Sequence, residues 1–141
     1  MDQKILDYLK TQRVSCLAVS LQDGSPHAAT LHFSHTESPL AIYFSTENTS
    51  KKCEGLLTGE EQRASCVFGF SEEDFRTLQM DGRVHMVTDV NELAKIKQIH
   101  YARHPSAKKY ENAPETVFLK FIPSWFRYTD YNVTPPAIIS S

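Results

Sequence analysis

The sequence predicts a mainly β protein: a six-stranded antiparallel sheet closed as a barrel, with helices at its periphery. Three observations carry this expectation. Stretches of strand-like length and composition recur along most of the chain. Short turns such as Asp23-Gly24-Ser25-Pro26 and Glu37-Ser38-Pro39 join neighbouring stretches as hairpins. Helical patterns are few, and they fall before, between and beside the strands rather than alternating with them.

Each element has its own local reason. Asp2 caps a first helix that carries Ile5, Leu6 and Leu9 at helical spacing. Val14 to Leu21 is a strand with apolar or small residues on both faces, as in a barrel wall also covered outside. His27 to His35 is the second half of the hairpin, with Ala29, Leu31 and Phe33 on one face and Ala28, Thr30, His32 and Ser34 on the other. Leu40 to Ser45 is a third strand. Ser50 to Leu57 reads as a short helix capped by Thr49 or Ser50 and ended by Gly59. Ala64 to Phe70 and Phe75 to Thr88 are further strands, and Gly82 marks a bulge or bend in the second. Asp89-Val90-Asn91-Glu92 is a capping box for a helix reaching Arg103, stopped by His104-Pro105. Thr116 to Tyr128 is the last strand, interrupted by Pro123, and the tail after Pro135-Pro136 has little regular structure.

The chain has 141 residues and reads as one domain over 1–141. Hydrophobic residues make up 40% and charged residues 23%, which excludes a disordered chain. A net charge of −2 gives no general attraction for nucleic acid. No apolar run is long enough to cross a bilayer. Cys16, Cys53 and Cys66 are odd in number and widely spaced, so a reducing, cytoplasmic setting with buried thiols is expected.

The richest chemistry lies in Phe44-Ser45-Thr46-Glu47-Asn48-Thr49-Ser50-Lys51-Lys52. A helix N-terminus carries about half a positive charge, so two lysines in its first turn are each disfavoured by roughly 0.3–1 kcal/mol. An anion offsets that cost, and the hydroxyls of Ser45, Thr46, Thr49 and Ser50 surround the same turn. Hydroxyls, free amides and ammonium groups together suit a phosphate.

The pattern of Phe44, Thr46, Ser50, Lys51 and Lys52 resembles the phosphate-binding segment of the pyridoxamine 5'-phosphate oxidase-like FMN-binding split-barrel family. The order of elements resembles that family over most of the chain. Tyr128-Thr129-Asp130-Tyr131-Asn132 is similar to a segment of its small bacterial branch. The resemblance implies a six-stranded split barrel that binds FMN as a homodimer, an oxidoreductase acting on an unidentified small molecule at a dimer-interface cleft. It implies that Thr46, Lys51 and Lys52 contact the phosphate, with Ser45 and Ser50 beside them. Thr30, Leu31 and His32 would run along the flavin ring, Gln79 would add a polar contact, and Trp125 and Arg127 would come from the second subunit. The family's oxidases carry an Arg on the second strand where this chain has Thr30 and His32. The resemblance therefore implies the cofactor class and not that particular reaction.

Other constellations point elsewhere. A non-catalytic flavin or haem binder is an alternative; haem needs an axial histidine, and His27, His32 and His85 are equal candidates. His32 and His35 fall three apart on one strand and His104 abuts Pro105, so no metal site is expected. His85 and His100 read as half-buried surface residues. The aromatic strand with Phe118, Phe121, Trp125, Phe126 and Tyr128 admits an oligonucleotide-binding small barrel, against which the net charge argues.

Overall fold

The computed structural model describes residues 1–141. Two α-helices, α1 (Gln3–Thr11) and α2 (Val90–Arg103), accompany eight strands: β1 (Val14–Ser20), β2 (Pro26–His32), β3 (Ser34–Glu37), β4 (Leu40–Glu47), β5 (Gln62–Phe68), β6 (Arg76–Met86), β7 (Thr116–Asp130) and β8 (Ala137–Ser140). The strands form one antiparallel sheet in the order β2-β1-β5-β6-β7-β4-β3, with β8 added to β7. The fold is mainly β and antiparallel, as expected, but it has eight strands rather than six.

Both extra strands have a physical reason. The stretch read as one strand to His35 breaks at Phe33. The Phe33 amide donates to the Arg13 carbonyl at 3.1 Å, and its own carbonyl meets His104 Nε2 at 2.7 Å. Residues before the break pair with β1, and those after it pair with β4. The C-terminal tail is ordered by pairing with Arg127–Asp130 of β7.

The same break defines the shape of the sheet. One continuous chain passes from one sheet end to the other at Phe33, so the barrel closes there. Strand β3 covers β4 only from Leu40 to Tyr43. Beyond that point the β4 edge at Ser45–Glu47 has no strand beside it and faces β2 across an open seam. The barrel is therefore split on this side, as the family resemblance implied.

Two local expectations hold and one changes. Asp2 accepts from the Lys4 amide, and Asp89 accepts from the Glu92 amide, each at 2.8 Å, so both helices start at the caps expected. Gly82 sits at a register shift in β6 opposite Pro123, and a Cβ there would run into the Ile122 carbonyl. The helix expected from Ser50 to Leu57 is instead a single 3-10 turn, Lys51–Cys53. Cys53 and Glu54 donate to the carbonyls three residues back, at 3.0 and 3.2 Å, and turns follow.

The main core fills the barrel with Leu17, Phe44, Phe68, Leu78, Met80 and Phe121, and α1 plugs one end with Ile5, Tyr8 and Leu9. A smaller core packs α2 onto the outside of β4 and β7 through Tyr43, Ile96, Tyr101 and Phe118. Helix α2 and the 3-10 segment after it (Pro105–Tyr110) thereby stand over the seam. No helix is long and apolar enough to cross a membrane.

Candidate functional site

The seam holds a cavity of about 540 Å³. Strand β2 gives Thr30, Leu31 and His32 to one wall, and β4 with the turn after it gives Ser45, Thr46, Ser50 and Lys52 to the other. Seven of the residues implicated by sequence are thus brought together across a gap of more than ten residues in the chain. His100, Ser106, Lys109 and Tyr110 form the roof, and Glu115 and Thr116 close one end.

Lys52 dominates the electrostatics. It is 7% exposed and is the only buried residue among the lysines, arginines, aspartates and glutamates. None of the salt bridges includes it. Burial pushes its amine below the usual lysine range, partly opposed by Cys53 and Glu47. A buried cation without a partner is costly, and an anion in the cavity removes the cost. The 3-10 turn is too short to carry the helix-dipole argument, so the case for an anion rests on this burial instead.

The hydroxyls divide into two kinds. Ser50 Oγ donates to the Glu47 carbonyl at 2.7 Å, which shapes the corner. The hydroxyls of Ser45 and Thr46 have no such partner and stand free beside Lys52 at the cavity wall. A phosphate fits this donor set: one ammonium and two hydroxyls with spare hydrogen-bonding capacity.

Three histidine rings lie in tilted contact, of which His32 and His100 line the cavity and His104 sits behind them. The rings of His32 and His104 are 4.8 Å apart, and those of His104 and His100 are 5.1 Å apart. His104 Nε2 donates to the Phe33 carbonyl at 2.7 Å, so Nδ1 accepts from Arg13 at 3.2 Å. Both nitrogens are occupied, and burial lowers its pKa. His104 is a strut. His100 is not the half-buried surface residue the sequence suggested: it is 1% exposed, and burial together with His104 and His32 pushes it down to about 4. Its Nδ1 lies 2.9 Å from Ser34 Oγ. The sequence did hold a signal for it: His100 and His104 continue the four-residue spacing of apolar Ile96, on the face of the helix that packs.

Lys51, Gln79, Trp125 and Arg127 lie outside the cavity. Lys51 is exposed at the rim. The other three stand on the sheet's outer face. Thr30, Cys16, Val67, Gln79 and Arg127 pair in one row across β2, β1, β5, β6 and β7. Trp125 occupies the next row opposite Asp81. At about 4.8 Å per strand, Gln79 and Arg127 are roughly 14 and 19 Å from Thr30. They do not reach the cavity of their own chain. This face is only partly covered, unlike the doubly buried β1 expected from sequence, and Val67 is 39% exposed. No group of three or more His, Cys, Asp or Glu converges on a point.

The chain is a split antiparallel barrel with a polar, lysine-bearing cavity in its seam. The pyridoxamine 5'-phosphate oxidase family model matches residues 1–130, and the chain belongs to that family. No curated protein sequence matches the chain. Among solved structures, it resembles a haem-binding protein from Mycobacterium smegmatis at TM-score 0.76 and 16% identity, covering 95% of this chain and 54% of that one. This chain thus spans about half the length of that neighbour. A general stress protein 26 relative of the pyridoxinephosphate oxidase family from Clostridium acetobutylicum matches at TM-score 0.72 and 14% identity, covering 100% and 96%. HutZ, the haem storage protein from Vibrio cholerae, matches at 0.73 and 13%, covering 87% and 89%. At these identities the likeness is one of fold.

Proposed function

We propose that the chain is an FMN-binding flavoprotein, an oxidoreductase that acts on a small molecule where two copies of the chain meet. The single observation that carries the reading is buried, unpaired Lys52 facing the free hydroxyls of Ser45 and Thr46 inside the seam. In a member of this family, the phosphate monoester that best suits the corner is that of FMN. Bound FMN would supply hydride and electron transfer; the chain's part is to fix the phosphate, orient the ring and exclude water. Thr30, Leu31 and His32 would flank the ring along β2.

Register supports the homodimer. Gln79 and Arg127 lie too far along the row to serve Thr30 of their own chain. A two-fold axis crossing the outer face near Val67 would bring the partner's Arg127 over Thr30. Small residues, Cys16 and Ala18, keep the β1 portion of this face flat enough for close approach.

Haem is the second reading, favoured by what two of the structural neighbours are named for. Of His27, His32 and His85, only His32 lines the cavity, and the lysine and hydroxyls opposite it suit a phosphate better than a porphyrin face. The absorbance spectrum of protein purified from cells separates the two. Flavin bands, or their appearance on adding FMN, support the proposal; a Soret band with no flavin uptake overturns it. Turnover of NADH or NADPH by the yellow protein distinguishes an oxidoreductase from a passive carrier.

A further inference from the structure

We propose that His100 reads the ligand directly, as a neutral imidazole whose Nε2–H donates to an oxygen of the phosphate ester or of the chain carrying it. This rests on the reading of the cavity as a phosphate-ester site.

The protonation pattern follows from counting hydrogens. Ser34 is fully buried, and its hydroxyl has one partner, His100 Nδ1 at 2.9 Å. If Nδ1–H donated to Ser34 Oγ, the serine proton would point into packed protein with no acceptor. If Ser34 donates to Nδ1, nothing is stranded. The second arrangement puts the imidazole proton on Nε2. That atom has no protein partner, yet it is not among the polar atoms that the fold seals off (Ser15 Oγ, His35 Nδ1, Tyr101 Oη and Arg103 Nε). It opens onto the cavity that His100 lines.

Packing explains why the donor is fixed. Phe118 meets the ring edge-on at 5.5 Å, the tilted ring of His104 lies 5.1 Å away, and Ser34 holds Nδ1. An apolar side chain would complete this stripe of α2 without leaving a polar atom behind. The imidazole instead offers one oriented N–H to the same cavity that Lys52 lines. Two polar atoms of buried residues from distant parts of the chain, Lys52 Nζ and His100 Nε2, each lacking a protein partner, thus belong to side chains that line one space. Lys52 supplies charge without direction, and His100 supplies direction without charge. Such a pair favours a ligand with an acceptor oxygen placed between them over a bare anion elsewhere in the cavity.

Flavin fluorescence titrations with FMN and riboflavin test this on wild type, His100→Leu, His100→Gln, Ser34→Ala and Lys52→Met, each first checked for a cooperative thermal transition. His100→Leu is expected to weaken FMN about tenfold, while His100→Gln, which keeps a donor, stays within about threefold. Ser34→Ala, which frees the tautomer, falls between them. A loss confined to FMN puts the contact on the phosphate; an equal loss with riboflavin puts it on the hydroxyls beside it. Imidazole nitrogen NMR should show Nε2 protonated and Nδ1 as acceptor, with Nε2–H moving on FMN addition. Wild-type FMN affinity in folded His100→Leu, or an Nδ1-protonated ring, overturns the assignment. If Lys52→Met loses FMN and His100→Leu does not, only the His100 assignment fails. If wild type ignores FMN, the phosphate-ester reading fails and takes this one with it.

Discussion

Replacing Lys52 with methionine should make the free protein more stable and its flavin binding much weaker. The side chain is 7% exposed and unpaired, and methionine has nearly its length with no charge to desolvate. Relief of a buried, partnerless charge is worth about 1 kcal/mol, which raises the melting temperature of a domain this size by ~3 °C. A charge-assisted hydrogen bond to a phosphate oxygen contributes about 1.5–3 kcal/mol, so FMN affinity should fall roughly 10- to 150-fold. Riboflavin has no phosphate, and its affinity should barely change. The lowered lysine pKa adds a pH signature. Between the folded value and the ordinary 10.5, the unfolded chain holds more protons at this site, so wild-type stability without ligand should rise with pH there. Lys52→Met should lack that rise. Differential scanning fluorimetry with and without FMN, and paired FMN and riboflavin titrations, read all of this. A variant that melts lower than wild type and keeps its FMN affinity would refute the reasoning, as would equal losses for FMN and riboflavin.

Other outcomes follow from the same geometry. His100 is held near 4 against an ordinary 6.5, so the unfolded chain binds more protons in that window; stability should fall by up to about 3 kcal/mol as pH drops from 6.5 to 4, and His100→Gln should flatten the pH-dependent melting curve. Val67→Asp puts a charge at the centre of the outer row and should convert a dimer to a monomer by light scattering; a dimer that survives it has another interface. Gly82→Ala drives a Cβ into the Ile122 carbonyl and should cost about 2 kcal/mol in urea unfolding.

Features written in neighbouring residues were legible in the chain itself. Asp2, Asp89 and the Asp23–Pro26 turn act within a few positions, and Gly82 announces its bulge because a strand interior rarely tolerates glycine. The features that build the cavity were not. Phe33 breaks its strand because Arg13 and His104, 20 and 71 residues away, claim its backbone, and an unbroken period of two gives no hint of that. The tail becomes β8 because β7 offers it an edge at Arg127–Asp130, not because of its own composition. At the corner, Thr46, Ser50 and Lys52 do line the cavity, but the local geometry differs from the one expected. A helix N-terminus was expected where the chain makes a 3-10 turn and buries an amine. His100 was misjudged because polarity was taken as exposure on a helix that the second core wraps.

The seam between β2 and β4 has a dynamic consequence. No ladder bonds cross it, so it can widen to admit a ligand without breaking any backbone pairing. The edge of β2 is accordingly the part of the sheet freest to breathe when the cavity is empty. A ligand gripped by Lys52 on one bank and Thr30–His32 on the other acts as the missing rung. Amide exchange along β2 should then slow on binding while exchange in β6 and β7, already paired on both sides, stays as it was.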